Sequence, residues 1–186
     1  MSSVELPELL HRFKAHYPHV TYRIQQNESS RLCELVKSRM LELAIIRLPL
    51  ELDAFSVIHL DTEPFYFLAS MEKPGIGPEI GLSDLREEPL MLPSTEGLGV
   101  NYNIHMSFTV AECSDIPLLL KLVSSGFGTA IVPETVARQL EGRNIRASKI
   151  TDPRLSAASG LIWLKGHHLS ATAQHFIEMM RERHTH

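Results

Sequence analysis

The chain reads as an α/β fold of two similar lobes, and three observations lead there. Strand-like and helix-like apolar patterns alternate along almost all of its 186 residues, the pattern of strands covered by helices, which predicts largely parallel sheets. Two segments echo each other. "LVKSRMLELAII" (Leu35 to Ile46) and "LVSSGFGTAIV" (Leu122 to Val132) each read as a helix end, a tight turn and an apolar strand. Between them, "MEKPGIGPEIG" concentrates prolines and glycines and is expected to be where the chain leaves one lobe for the other. The expected division is residues 1–70 with 157–186 as the first lobe and 71–156 as the second.

Leu6, Leu10, Phe13 and Tyr17 recur at helical spacing behind Pro7, and Pro18 stops the pattern, which predicts a first helix. "HVTYRIQQ" alternates Val20, Tyr22 and Ile24 with polar neighbours and predicts a half-buried strand. Ser29 and Ser30 are expected to cap a helix carrying Leu32, Leu35 and Val36. "LELAIIR" reads as a buried strand, and "FSVIHL" and "PFYFLAS" as two successive strands. Past the Pro/Gly stretch come a short helix ("LSDLREE"), a short strand ("PLMLP"), the polar loop "STEGLG" and the strand "SFTVAE". Ile116, Leu119, Leu120 and Val123 then mark a helix with Ser114 or Asp115 as cap and Pro117 tolerated in its first turn. After "GTAIVP" a helix with Val136 and Leu140 is ended by Gly142. The strands "NIRASKI" and "GLIWLK" follow, then a last helix capped by Ser170 that buries Ala173, Phe176, Ile177 and Met180.

Composition removes several function classes. At 44% hydrophobic with a net charge of −4, the chain can bury a core but has no basic face for nonspecific nucleic-acid binding. No apolar run approaches the roughly 20 residues of a membrane span, and "MSSVELPELL" lacks the features of a signal peptide. A cytoplasmic protein is expected, without membrane attachment. Cys33 and Cys113 lack CxxC spacing, so two reduced thiols are expected rather than a zinc site or a disulfide framework.

The Gly126-x-Gly128 pair invites a nucleotide reading, which the element order defeats. Position 131 is Ile rather than a third glycine, and the helix precedes the glycines, so its negative end would face any phosphate. Gly126 is expected instead as the left-handed residue that closes the helix. Walker A, G-x-S-x-G and H-E-x-x-H patterns are absent from the sequence. The ten histidines have no Cys or carboxylate at ligand spacing, so no metal site is expected. Glu87-Glu88 and Asp61/Glu63 read as surface charges, and no cofactor or catalytic constellation emerges. What remains is a set of hydroxyls at helix starts, namely Ser2-Ser3, Ser29-Ser30, Ser114 and the polar step Ser94-Thr95. In a two-lobed α/β protein, helix starts after parallel strands face the cleft and suit an anion. Arg47, directly after "LELAII", could supply a fixed charge to a carboxylate.

"LPELLHRFKAHYPHVTYRI", "LELAII" and "SDIPLLLKLVSSGFGTAIVP" together resemble the effector-binding domain of LysR-type transcriptional regulators. That family's pattern runs L-P-x-L-L-x-x-F…Y-P, then D-L-A-I, then V-x-x-G-x-G-x-x-x-x-P, and the likeness covers nearly the whole chain in order and spacing. It implies a type 2 periplasmic-binding-protein-like fold, two lobes joined by crossover strands with a small effector in the cleft. By position it makes Ser2, Ser3, Ser94, Thr95 and Ser114 effector contacts, beside Arg47. A homo-oligomer, a dimer or higher, is implied, and the helix starts and Arg47 lead to the expectation of a small, anionic effector, a carboxylate. DNA contact would belong to an N-terminal winged helix-turn-helix that this chain does not include. The chain departs from the family pattern before Ser2, where a strand is missing. It departs again at Arg39-Met40-Leu41-Glu42-Leu43, where G-x-L-D-L is usual, and between Gly99 and Ser107, which is shorter. A transporter's solute-binding protein and an enzyme on the same fold are the competing readings. The first lacks an export signal, and the second an acid–base pair.

Overall fold

A computed structural model of the chain describes residues 5–92, 109–113, 115–152 and 155–184. The chain divides into two compact units, Met1–Asp61 with Ala158–His186 (unit 1) and Thr62–Ala157 (unit 2). Both boundaries fall within strands, and Met71–Gly81 lies inside unit 2.

Unit 1 opens with helix α1, Glu5–His16. Its spacing turns Leu9 and Phe13 into the interior, and burying each such side chain contributes roughly 1.5–3 kcal/mol. Phe13 packs edge-on against Phe176, ring centroids 5.3 Å apart. "HVTYRIQQ" is not a strand. Its alternation is real, but a strand needs a neighbour to take its N–H and C=O groups, and none pairs with it among the described residues. Ile24 is accordingly 70% exposed. Helix α2 covers Ser29–Lys37 and packs on β1, Ala44–Leu48. Leu32, Cys33 and Val36 meet Ala44, Ile46 and Leu48 in one cluster with Phe55 and Ile162. The turn between α2 and β1 carries Arg39 at φ +61°.

"FSVIHL" and "PFYFLAS" are one continuous strand, β2, Phe55–Ser70. The intervening Asp61-Thr62-Glu63 does not reverse the chain, which stays extended from one unit into the other. In unit 1 the sheet order is β1-β8-β2, with β8 being Ser156–Leu164. β8 is antiparallel to β1, Ala44 facing Ile162 and Leu48 facing Ala158. Gly160 of β8 is needed for close packing, because a Cβ there would lie 3.1 Å from Val57 Cγ1 and 3.3 Å from Leu48 Cδ1. The last helix of the unit covers Ala171–His184 and is capped as expected, Ser170 Oγ accepting from the Ala173 N–H at 3.2 Å.

Unit 2 contains β3 (Glu79–Ile80), a 3-10 turn at Leu82–Leu85, β4 (Leu90–Leu92), β5 (Thr109–Glu112), helix α3 (Ile116–Ser124), β6 (Thr129–Pro133), the short helix α4 (Glu134–Ala137) and β7 (Ile145–Ile150). The helix after α4, at the end of unit 1, is therefore α5. "LSDLREE" forms no more than the 3-10 turn, tied by the Gly81 N–H donating to Asp84 Oδ2 at 3.1 Å. The helix read over Val136 and Leu140 stops at Ala137. The sheets are mixed rather than largely parallel. β6 and β7 run antiparallel to β2, whereas β4 runs parallel to β5 and β6, and β3 to β7. Each of these antiparallel pairs involves β2 or β8, the strands that pass between the units. Phe65, Phe67, Ile131 and Leu85 form one fully buried cluster, and Leu68, Leu119, Val123 and Ala130 another under α3.

Candidate functional site

Arg47 lies in the second half of β1. The strand alternates buried and half-buried positions, which sends Ile46 and Leu48 towards α2 and leaves Arg47 half-buried on the other face. Its backbone N–H donates to Ser29 Oγ at 3.0 Å, and Ser29 is only 6% exposed. Ser29 is the first residue of α2, and the N-cap is Glu28, which makes no side-chain cap hydrogen bond. The expectation that Ser29 and Ser30 act as caps is thus corrected: both sit within the first turn, and the Ser29 hydroxyl is directed at β1 instead. On the next strand Ser159 is the register partner of Arg47, 4% exposed, and its hydroxyl donates to the Asp61 carbonyl at 3.4 Å. Ser29, Arg47, Ser159 and Asp61 form a polar seam across unit 1.

Chemically, the Ser29 end of this seam offers a hydrogen-bond donor beside a helix start, and its other end carries the Asp61 carboxylate. A hydroxyl that accepts from the Arg47 N–H keeps its own proton to donate. The start of a nine-residue helix adds the positive end of a dipole, while the Arg47 side chain lies on the face of β1 turned away from α2. Of the predicted site residues, the structure places Arg47; Ser2, Ser3, Ser94, Thr95 and Ser114 lie outside the described residues. The seam adds Ser159, which the sequence reading did not single out. Its signal was a serine breaking the apolar pattern of a buried strand.

Unit 2 has a different polar arrangement. Asp115 is the N-cap of α3, Oδ1 accepting from the Leu118 N–H at 2.9 Å, so Asp115 carries the capping bond. Glu63 is half-buried rather than a surface charge, accepting from the Thr135 N–H at 2.8 Å and from its hydroxyl at 3.5 Å. Tyr66 donates to Glu134 at 3.5 Å, and burial, reinforced by the Glu134 carboxylate, pushes its phenol above the ordinary 10.0. A recess of about 320 Å³ is lined by Glu63, Pro64, Glu79, Lys149, Asp152 and Leu155 among others.

Both cysteines are free thiols. Cys33 is buried against β1, and desolvation raises its thiol above 9.0 despite the opposing pull of Lys37, which keeps it protonated and unreactive at neutral pH. Cys113 is half-buried and donates to the Asp115 carbonyl at 3.4 Å. Among the described residues no His, Cys, Asp or Glu grouping could hold a metal ion, and no helix is long and apolar enough to cross a membrane. Gly126 is in the left-handed conformation, φ +76°. The Gly126 N–H donates to the Val123 carbonyl at 3.0 Å and the Phe127 N–H to Leu122 at 3.1 Å. It closes α3, as expected.

A family model described as the LysR substrate binding domain matches residues 1–185. Among curated proteins, the HTH-type transcriptional regulator BsdA of Bacillus subtilis (strain 168) is 29% identical over 182 residues, covering 92% of this chain and 63% of BsdA. The nitrogen assimilation regulatory protein nac of Escherichia coli (strain K12) is 26% identical over 188 residues, covering 96% of this chain and 60% of that protein. The chain thus spans less than two thirds of the length of either relative. Among solved structures, the effector binding domain of a BenM variant matches with TM-score 0.83 at 19% identity, over 97% of this chain and 88% of that one. The reduced regulatory domain of OxyR2 from Vibrio vulnificus matches with TM-score 0.80 at 19% identity, over 95% and 88%. At such identities the likeness establishes the type 2 periplasmic-binding-like fold.

Proposed function

Because this chain belongs to the LysR substrate binding domain family, we propose that it is the ligand-sensing part of a transcriptional regulator, binding a small anionic effector, a carboxylate. The observation that carries the effector class is the buried Ser29 hydroxyl at the start of α2, hydrogen-bonded to the Arg47 backbone. A carboxylate placed there would receive the hydroxyl proton and the helix dipole, with the Arg47 charge acting at a distance rather than as a direct contact. Ser2, Ser3, Ser94, Thr95 and Ser114 are further contacts in this reading. Effector binding shifts the population of two arrangements of the domain, and the response passes to DNA through an N-terminal segment of a longer, dimeric protein kept in the cytoplasm. The relatives support this assignment by name, being regulators rather than transport proteins or enzymes.

Isothermal titration against aliphatic, aromatic, sugar and amino acids tests the proposal. At least one carboxylate should bind, and Ser29→Ala should weaken it roughly 10- to 100-fold, the loss of one hydrogen bond to a charged group. Arg47→Gln should weaken it as well. If no acid in the panel binds the parent protein, the ligand class is wrong. If one binds equally well to Ser29→Ala and Arg47→Gln, the site lies elsewhere.

A further inference from the structure

We draw no further inference here: the strongest candidate, the recess in unit 2 rimmed by Glu63, Glu79, Lys149 and Asp152, is a carboxylate cluster around one lysine with no second observation among the described residues that points to a ligand, and it adjoins residues 153–154, which lie outside the described residues.

Discussion

At the end of α2 in unit 1 and of α3 in unit 2, corresponding backbone groups close the helix. Met40 N–H donates to Leu35 at 2.9 Å and Arg39 N–H to Val36 at 3.1 Å; Phe127 donates to Leu122 at 3.1 Å and Gly126 to Val123 at 3.0 Å. Both turns need one left-handed residue, φ +61° at Arg39 and +76° at Gly126. Backbone hydrogen bonding dictates this geometry, and the residue only sets its cost. Glycine adopts it freely, whereas an arginine gives up about 1–2 kcal/mol. Past the turn the units diverge. A Cβ on Gly128 would lie 3.0 Å from the Pro89 carbonyl oxygen, so unit 2 presses its chain against the segment leading into β4. The corresponding Leu41 of unit 1 packs against the α2–β1 cluster. One extra residue follows, and Glu42 accepts from both the N–H and the hydroxyl of Ser170, at 2.7 and 3.0 Å. The helix starts differ too. Asp115 closes α3 with its own side chain, but the first serine of α2 is tied to a strand. Both units use polar groups to hold their frames, Glu42 on Ser170 in unit 1 and Asp115 on α3 in unit 2, but only in unit 1 does the serine opening the helix bond to a strand.

Breaking the closest approach should have the largest effect. Gly128→Ala forces a Cβ onto Pro89 and should lower stability by about 1–3 kcal/mol in urea unfolding; an unchanged midpoint would show that this contact gives way easily. Next comes the cap. Asp115→Ala should cost about 1 kcal/mol, and retention of parental stability would mean that α3 is held by packing alone. Exchanging the left-handed residues sharpens the comparison further. Gly126→Arg should destabilise and Arg39→Gly should stabilise, each by up to about 1 kcal/mol after the greater unfolded-state freedom of glycine is counted. Equal signs for the two substitutions would refute the correspondence of the turns.

The smallest effects are on pH dependence. Burial raises the Cys33 thiol above 9.0 in unit 1 and the Tyr66 phenol above 10.0 in unit 2. In each case the folded state holds a proton that the unfolded chain releases. Their contributions to stability are complete below those ordinary values and are lost as pH rises through the folded-state values. Thermal melts of Cys33→Ala should therefore show a shallower decline than the parent above about pH 9, and Tyr66→Phe above about pH 10. Parallel curves for parent and variant would remove the group concerned from the alkaline limb.

Agreement of period and end signals sufficed for α1 and α3 but not for the helix read over Val136 and Leu140, which stops at Ala137 despite Gly142. Pro7 and Pro18 bracket α1, and Asp115 and Gly126 bracket α3. The α2–β1 and α3–β6 echo was legible as a helix end, a turn and a strand, and the matching turn hydrogen bonds emerged only in the structure. Strand partnership was not legible, because alternation reports a half-buried face and not a neighbour; "HVTYRIQQ" has the alternation and no ladder among the described residues. The run through β2 failed for the opposite reason. Asp61-Thr62-Glu63 looks like a turn by polarity, yet Glu63 is extended and occupied by Thr135, 72 positions away in sequence. Local sequence also cannot indicate that β6 and β7 run antiparallel to β2, since direction is set by which strands cross between units. In the candidate site, Arg47 was visible as a charge ending an apolar strand. Its link to Ser29 was not, because a serine opening a helix has the same local signature whether it caps the turn or bonds to a strand.

The sheet order β1-β8-β2 in unit 1 has a consequence for the order in which a ribosome makes the two halves. Unit 2 is one uninterrupted stretch, residues 62–157, and is fully synthesised before Ala158 is added. β1 and the first half of β2 are synthesised before it, but the strand that separates and pairs them is synthesised after it. At about 5–20 residues per second, the earlier half of the protein waits for seconds with its central position empty. A nascent chain stalled before Ala158 would therefore leave Leu9 and Leu60 without Leu161, Ile177 and Met180, with which they cluster, making unit 1 the half that depends on prompt completion of synthesis.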